Sequence, residues 1–326
     1  MRYRSNVLNQ QIWEVEMDLL SDLKENLRQQ LTKAGIVSKS DNPIYDYFNF
    51  KKRFIEPKPR RVLKSHEFKC PDAYSPALQE IIDKITSGTN LFPYLSKEIR
   101  NAEYNDALLN DWNIHHLHLS RRMGKDGFVL RSDYQVFAFF TEDSCYLIQV
   151  YPHNKPWLYS TQEMVRIVDA NWPNLIKRYR IDANMVEQLS DEQYAMMRKA
   201  HASTFVQTAP NRIYCMIGGG YMSNGASHAA ISASDYWHNK CRYLEIDLRN
   251  SCIDKIVQLI IQETGDCYMP LNIKLLFFKT ESEVVLAEAH NRVAIEINYS
   301  QQYIRVCEPT VLFSTQELPY INLPRQ

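Results

Sequence analysis

The 326-residue chain is 45% hydrophobic and carries 38 basic and 38 acidic side chains. That length supports one large or two ordinary domains with their own cores, which excludes a small cross-linked scaffold. Balanced charge excludes a general polyanion binder of the histone kind, so any nucleic-acid surface must be local.

Nine glycines and 14 prolines beside 20 tyrosines and 13 phenylalanines argue against disorder and for an aromatic-rich folded protein. The opening MRYRSNVLNQ lacks the apolar stretch of a secretory signal. No apolar run approaches the ~18 residues of a membrane span, so a cytoplasmic protein with no membrane partner is expected. The seven cysteines form an odd set without CxxC spacing and read as reduced core thiols.

From Ile12, apolar residues at Val15, Leu19, Leu23, Leu27 and Leu31 predict an amphipathic helix ended near Gly35. Its stripe packs either on the protein's own body or on a second copy, as a homodimer. The run from Lys51 to Lys64 holds Lys51, Lys52, Arg53, Lys58, Arg60, Arg61 and Lys64 against the single acid Glu56. Pro57 and Pro59 predict an extended basic arm, either a solvated linker or a phosphate-binding strand. In the second case Tyr45, Tyr47, Phe48, Phe50 and Phe54 would offer stacking surfaces.

Ser75-Pro76 predicts a helix through Ser87 with Gly88 past its end, and Ser96 a further one to about Leu109. Strands are predicted from Ile114 to Leu119, Gln135 to Phe140 and Cys145 to Tyr151, the last two joined as a hairpin by residues 141–144. Ser160 with Glu163 fits a capping box, stopped by Asn171-Trp172-Pro173. Ser190 with Gln193 predicts another capped helix.

Beyond it, Arg212 to Ile217, Ala229 to Ser234, Tyr243 to Leu248, Ile273 to Phe278, Val293 to Ile297 and Tyr303 to Val306 read as strands. A helix is expected from Ser251 to Thr264. The overall expectation is an α+β fold: an N-terminal helical region with the basic arm (1–61), a small antiparallel sheet with packing helices that bears the histidines (62–180), and a second α+β module (181–326).

The densest chemical feature is Ile114-His115-His116-Leu117-His118-Leu119-Ser120. Strand alternation puts His116, His118 and Ser120 on one face and groups His115 with the leucines. Two neighbouring imidazoles serve as an acid–base pair or as metal ligands. If the hairpin folds back beside them, His153 and Arg131 approach the same face. That is equipment for metal-independent RNA cleavage, with His116 and His118 moving protons, His153 assisting, and Arg131 with Arg122 holding phosphate.

Lys51, Lys52, Arg53, Lys58, Arg60 and Arg61 would extend the RNA contact. No cofactor and no metal is expected, because Arg121 and Arg122 stand where a cupin-like pattern would carry a metal-binding glutamate. The alternatives are a non-catalytic nucleic-acid or partner-binding protein with structural histidines, and a His-ligated metalloenzyme. Gly218-Gly219-Gly220 fits no phosphate-loop spacing and reads as a tight turn. Glu245, Asp247 and Glu296 read as solvent-facing acids, and Cys145 with His153 as an unactivated pair.

Lys58-Pro59-Arg60-Arg61, Phe92-Pro93-Tyr94-Leu95-Ser96, Trp112 to His118 and Asn171-Trp172-Pro173 together resemble an uncharacterised bacterial protein group over residues 57–176. That resemblance implies a bacterial origin and a module boundary and no activity. In its use of His and Arg on a small sheet the chain also resembles compact ribonuclease toxins. The leading expectation is an endoribonuclease-like effector of toxin or phage-defence type, with a neutralising partner protein.

Overall fold

The computed structural model describes residues 13–307. Ile12, the expected start of the first helix, and the MRYRSNVLNQ segment lie outside them. The fold is α+β. Two compact units divide it: one of residues 13–33, 42–44 and 235–307, the other of residues 34–41 and 45–234. No helix among the described residues is long and apolar enough to cross a membrane.

In the first unit, strand Val15–Met17 pairs in parallel with Leu271–Thr280. Glu283–Glu288, Val293–Asn298 and Tyr303–Cys307 then continue the sheet antiparallel. Helix Leu19–Lys33 begins where the Asp18 carboxylate accepts the Ser21 amide at 2.9 Å. Leu19, Leu23, Leu27 and Leu31 are buried along its inner face, each worth about 1.5–3 kcal/mol on leaving water. Asn26 ties this helix to the sheet through the carbonyls of Leu275 and Leu276, and Asp22 accepts the Leu275 amide. The stripe is thus covered within its own unit, and the second-copy reading of it falls away.

Two predicted strands are helical. Ala229 to Ser234 and Tyr243 to Leu248 belong to one helix, His228–Asp247, and its π-helical extension Leu248–Cys252. Its buried residues up to the extension's start are Ala230, Ser234, Trp237, Cys241, Leu244 and Leu248, a spacing of alternating fours and threes. Leu244, Ile246 and Leu248 imitate strand alternation with Glu245 and Asp247, but Ile246 faces outward with Tyr243. Helix Ile253–Thr264 follows and ends at the left-handed Gly265.

In the second unit a four-stranded sheet runs in the order Arg61–Lys64, Ser144–Pro152, Tyr134–Phe140, Ile114–His118. Its first pair is parallel and the others antiparallel. Helix Glu163–Asn171 buries Met164, Val165, Ile167 and Val168. Their cluster holds Phe137 and Ile148 and also Tyr194, Val206 and Tyr214. Residues on both sides of 180 therefore share one core, and the module border expected there cuts through it. Tyr194 belongs to helix Asp191–Lys199, whose Ser190/Gln193 capping box forms as predicted. Val206 and Tyr214 belong to a three-stranded sheet of Arg180–Ile181, Arg212–Tyr214 and Val206–Ala209.

Other local expectations are corrected. Pro43 opens a helix, Pro43–Arg53, so Lys51, Lys52 and Arg53 end a helix and only the chain beyond them is extended. The helix expected from Ser96 to Leu109 is a short 3-10 turn, Lys97–Arg100, and a separate helix, Ala107–Trp112, capped by Asp106. Between them Asn49 and Arg53 take up the carbonyls of residues 101, 102 and 104. Ser160 sits in a 3-10 turn and does not cap the helix that starts at Glu163. Gly218 is a close-approach position: a Cβ there would stand 2.2 Å from the Leu109 carbonyl oxygen. All seven cysteines are free, and Cys145, Cys241 and Cys252 are buried.

Candidate functional site

Strand Ile114–His118 is the edge strand of the four-stranded sheet, and Leu117 is fully buried beneath it. Register fixes what lies beside each histidine. His116 is opposite Phe137 and His118 opposite Gln135, while Gln135 in turn faces Tyr151 on the next strand. Arg131 and His153 flank the last pairing of that hairpin, Tyr134 with Pro152. Strand order therefore sets the His116/His118 strand beside the hairpin whose open end carries Arg131 and His153.

The imidazoles of His116 and His118 lie with centroids 6.1 Å apart, edge to face. Both are half-buried, not projecting freely into solvent as alternation alone suggests. Their Nδ1 atoms are buried without a hydrogen-bond partner among the described residues. Neither of these nitrogens is tied to a main-chain oxygen as a structural histidine's would be. Arg131 Nη2 stands 2.7 Å from His153 Nε2, so that nitrogen must be the unprotonated acceptor of a guanidinium hydrogen.

Burial keeps the His116 and His118 rings uncharged. Burial, and then the charges of His116, His153, Arg131 and Lys97, push His118 down to about 4. Burial likewise lowers His116, opposed by the Asp106 carboxylate. At neutral pH both rings are therefore uncharged. His115, grouped by alternation with the leucines, is also half-buried and sits edge-on to the Phe140 ring at 5.4 Å.

Three residues with no motif around them belong to this neighbourhood. The Tyr159 ring lies 5.3 Å from His116, and its hydroxyl donates to Gln135 Oε1 at 3.0 Å. Gln135 is almost wholly buried. Asp106 both caps its helix and acts on His116. Tyr159 and Asp106 lie in a turn and at a helix cap, where periodicity carries no signal. Gln135 could have been noticed as an amide placed among apolar strand residues.

The remaining expected residues are placed elsewhere. Arg122 is exposed on the loop after Ser120, and its carbonyl accepts the Leu130 amide. Lys51 pairs with Glu56, and Lys58 with Glu142. Lys52 donates to the Gly218 carbonyl at 2.6 Å, and burial pushes its ammonium down to about 8. Arg53 is buried, with its guanidinium on the carbonyls of Asn49, Glu98, Asn101 and Ala102. Burial lowers it to about 10.

Arg60 is buried too, holding the carbonyls of Thr141 and Glu56 while lying over the Phe140 ring. Arg61 stays exposed, its amide on the Asp143 carbonyl. Tyr47, Phe48 and Phe50 are buried and so offer no open stacking face. Most of the basic run thus stitches loops together.

Among the described residues no group of three His, Cys, Asp or Glu side chains is arranged to hold a metal ion. The Arg131 guanidinium beside His153 also makes the cluster unfavourable for a divalent cation. No protein-family model, curated protein or solved structure matches the chain.

Proposed function

We propose that the protein is a metal-independent endoribonuclease whose site is His116, His118, His153 and Arg131. One observation carries the reading: Arg131 stands on His153, and its charge also acts on a half-buried His118 that is neutral at physiological pH. A guanidinium and a neutral imidazole are what an internal transesterification of RNA asks for.

In this mechanism His118 removes the proton of a 2′-hydroxyl, and the oxygen attacks the adjacent phosphorus. Arg131 leaves His153 for the phosphate and neutralises the charge that builds on the phosphorane oxygens. The bond to the 5′-oxygen breaks, and that oxygen takes a proton from His116, which enters this step as the imidazolium, protonated from solvent when the phosphate binds. Bound phosphate supports this role, since its negative charge facing the rings favours an imidazolium that burial alone disfavours. His153, released from Arg131, orients the phosphate. The products are a 2′,3′-cyclic phosphate and a 5′-hydroxyl. As an effector of toxin or phage-defence type the enzyme would act on cytoplasmic RNA, and a neutralising partner would cover this sheet edge.

The test is incubation of purified protein with RNA in the presence of EDTA. Cleavage by the parent and a loss of about 10²–10⁴-fold in His118→Ala support the reading. Salt-dependent RNA binding without cleavage would replace it with a binding protein that carries half-buried histidines.

A further inference from the structure

A second site lies in the other unit, away from any role in RNA cleavage. A cavity of about 160 Å³ opens at the C-terminal end of helix His228–Asp247, against the turn that joins Leu271–Thr280 to Glu283–Glu288. That volume is close to the ~150 Å³ cavity that accepts one benzene ring. Its walls include the rings of Tyr243, Phe278 and Tyr299, and its polar groups include Asp247, Glu281 and Lys240. Tyr243 is 70% exposed despite its size.

The charge tally favours a cation. Glu283 also lines the cavity but is committed to Lys279 at 3.2 Å. Asp247 and Glu281 then face the single ammonium of Lys240, which leaves one negative charge. Asp247 is held in place from two sides. The Tyr299 hydroxyl donates to its Oδ2 at 2.9 Å, and the Cys252 thiol donates to the same oxygen. The thiol reaches it because the helix widens into a π-turn over Leu248–Cys252, which places the fifth residue on above the first. Such π-turns concentrate at functional sites. Both of these hydrogen bonds fall on Oδ2, and Asp247 Oδ1 takes none from the described residues.

We propose that this cavity binds a small organic cation of the alkylammonium class, its charge set against Asp247 and Glu281 and its methyl or methylene groups against the Tyr243, Tyr299 and Phe278 rings. Aromatic faces attract such cations through the ring quadrupole, and a carboxylate alone would not select them over an inorganic ion.

The test uses choline as probe and 3,3-dimethylbutan-1-ol as its neutral isostere, with the full chain, by calorimetry. Saturable choline binding that exceeds the isostere's about tenfold or more is expected. Tyr243→Leu, at an exposed position, weakens choline about fivefold or more with an unchanged melting temperature. Asp247→Asn weakens it further, while His118→Ala leaves it intact. Equal binding of choline and the neutral isostere, binding indifferent to Tyr243→Leu, or no choline binding at millimolar concentration would each overturn the proposal.

Discussion

Replacing His118 by Gln removes one titrating group from the middle of the candidate site, and the structure sets the size of the result. The folded pKa is about 4, against 6.5 for the free side chain. Between those values the unfolded chain binds a proton that the folded protein refuses. Stability contributed by the neutral ring is therefore fully present above about pH 6.5 and is lost as the pH falls toward 4.

At 1.36 kcal/mol per pH unit the whole gap is worth about 3 kcal/mol. Solvent at the open part of the ring reduces this to about 2 kcal/mol. Urea unfolding at pH 7 and pH 4.5 reads it directly: the parent should lose about 2 kcal/mol more than His118→Gln over that interval. Equal losses, or a titration of the His118 imidazole itself observed by NMR near 6.5, would refute the claim that burial and the neighbouring cations keep His118 neutral.

Three further variants test the frame that carries the site. Asp111 is fully buried and accepts from Arg198 at 2.7 Å and from the Tyr194 hydroxyl at 3.0 Å. Asp111→Ala strands the Arg198 guanidinium, which lies over the Trp112 ring, and should cost about 3–5 kcal/mol in chemical denaturation. The double variant Asp111→Leu with Arg198→Met should recover much of that loss. Gly88 has φ +75° and would place a Cβ 2.6 Å from Pro59 Cδ. Gly88→Ala should lower the thermal midpoint, with a cost of about 1–3 kcal/mol.

The four-residue leucine spacing from Leu19, the hairpin around residues 141–144 and the Ser190 capping box were legible because each is a local pattern with a local cause. The helix His228–Asp247 was not. Leu244, Ile246 and Leu248 alternate with Glu245 and Asp247 over the few residues on which a strand is judged, and the helical period shows only across the whole element.

The placing of the hairpin beside the histidine strand followed from pairing order, whereas the contact of Arg131 with His153 was not foreseen. Half-burial of His116 and His118 did not follow, because it depends on Tyr159, Gln135 and Asp106, which arrive from separate segments. The fate of the basic run was hidden for a similar reason. Arg53 and Arg60 spend their donors on carbonyls left open by irregular loops, and composition does not reveal where such loops fall.

Ribonuclease chemistry at this sheet edge is decided by cleavage of an RNA oligonucleotide in EDTA by the parent protein and by Arg131→Ala, with the product ends analysed. Attack by the 2′-oxygen predicts 2′,3′-cyclic phosphate and 5′-hydroxyl ends, no cut at a position whose 2′-hydroxyl is replaced by hydrogen, and a rate reduced about 10²-fold or more without Arg131. Cutting at the 2′-deoxy position, 5′-phosphate ends, or an Arg131→Ala rate equal to the parent's would contradict it.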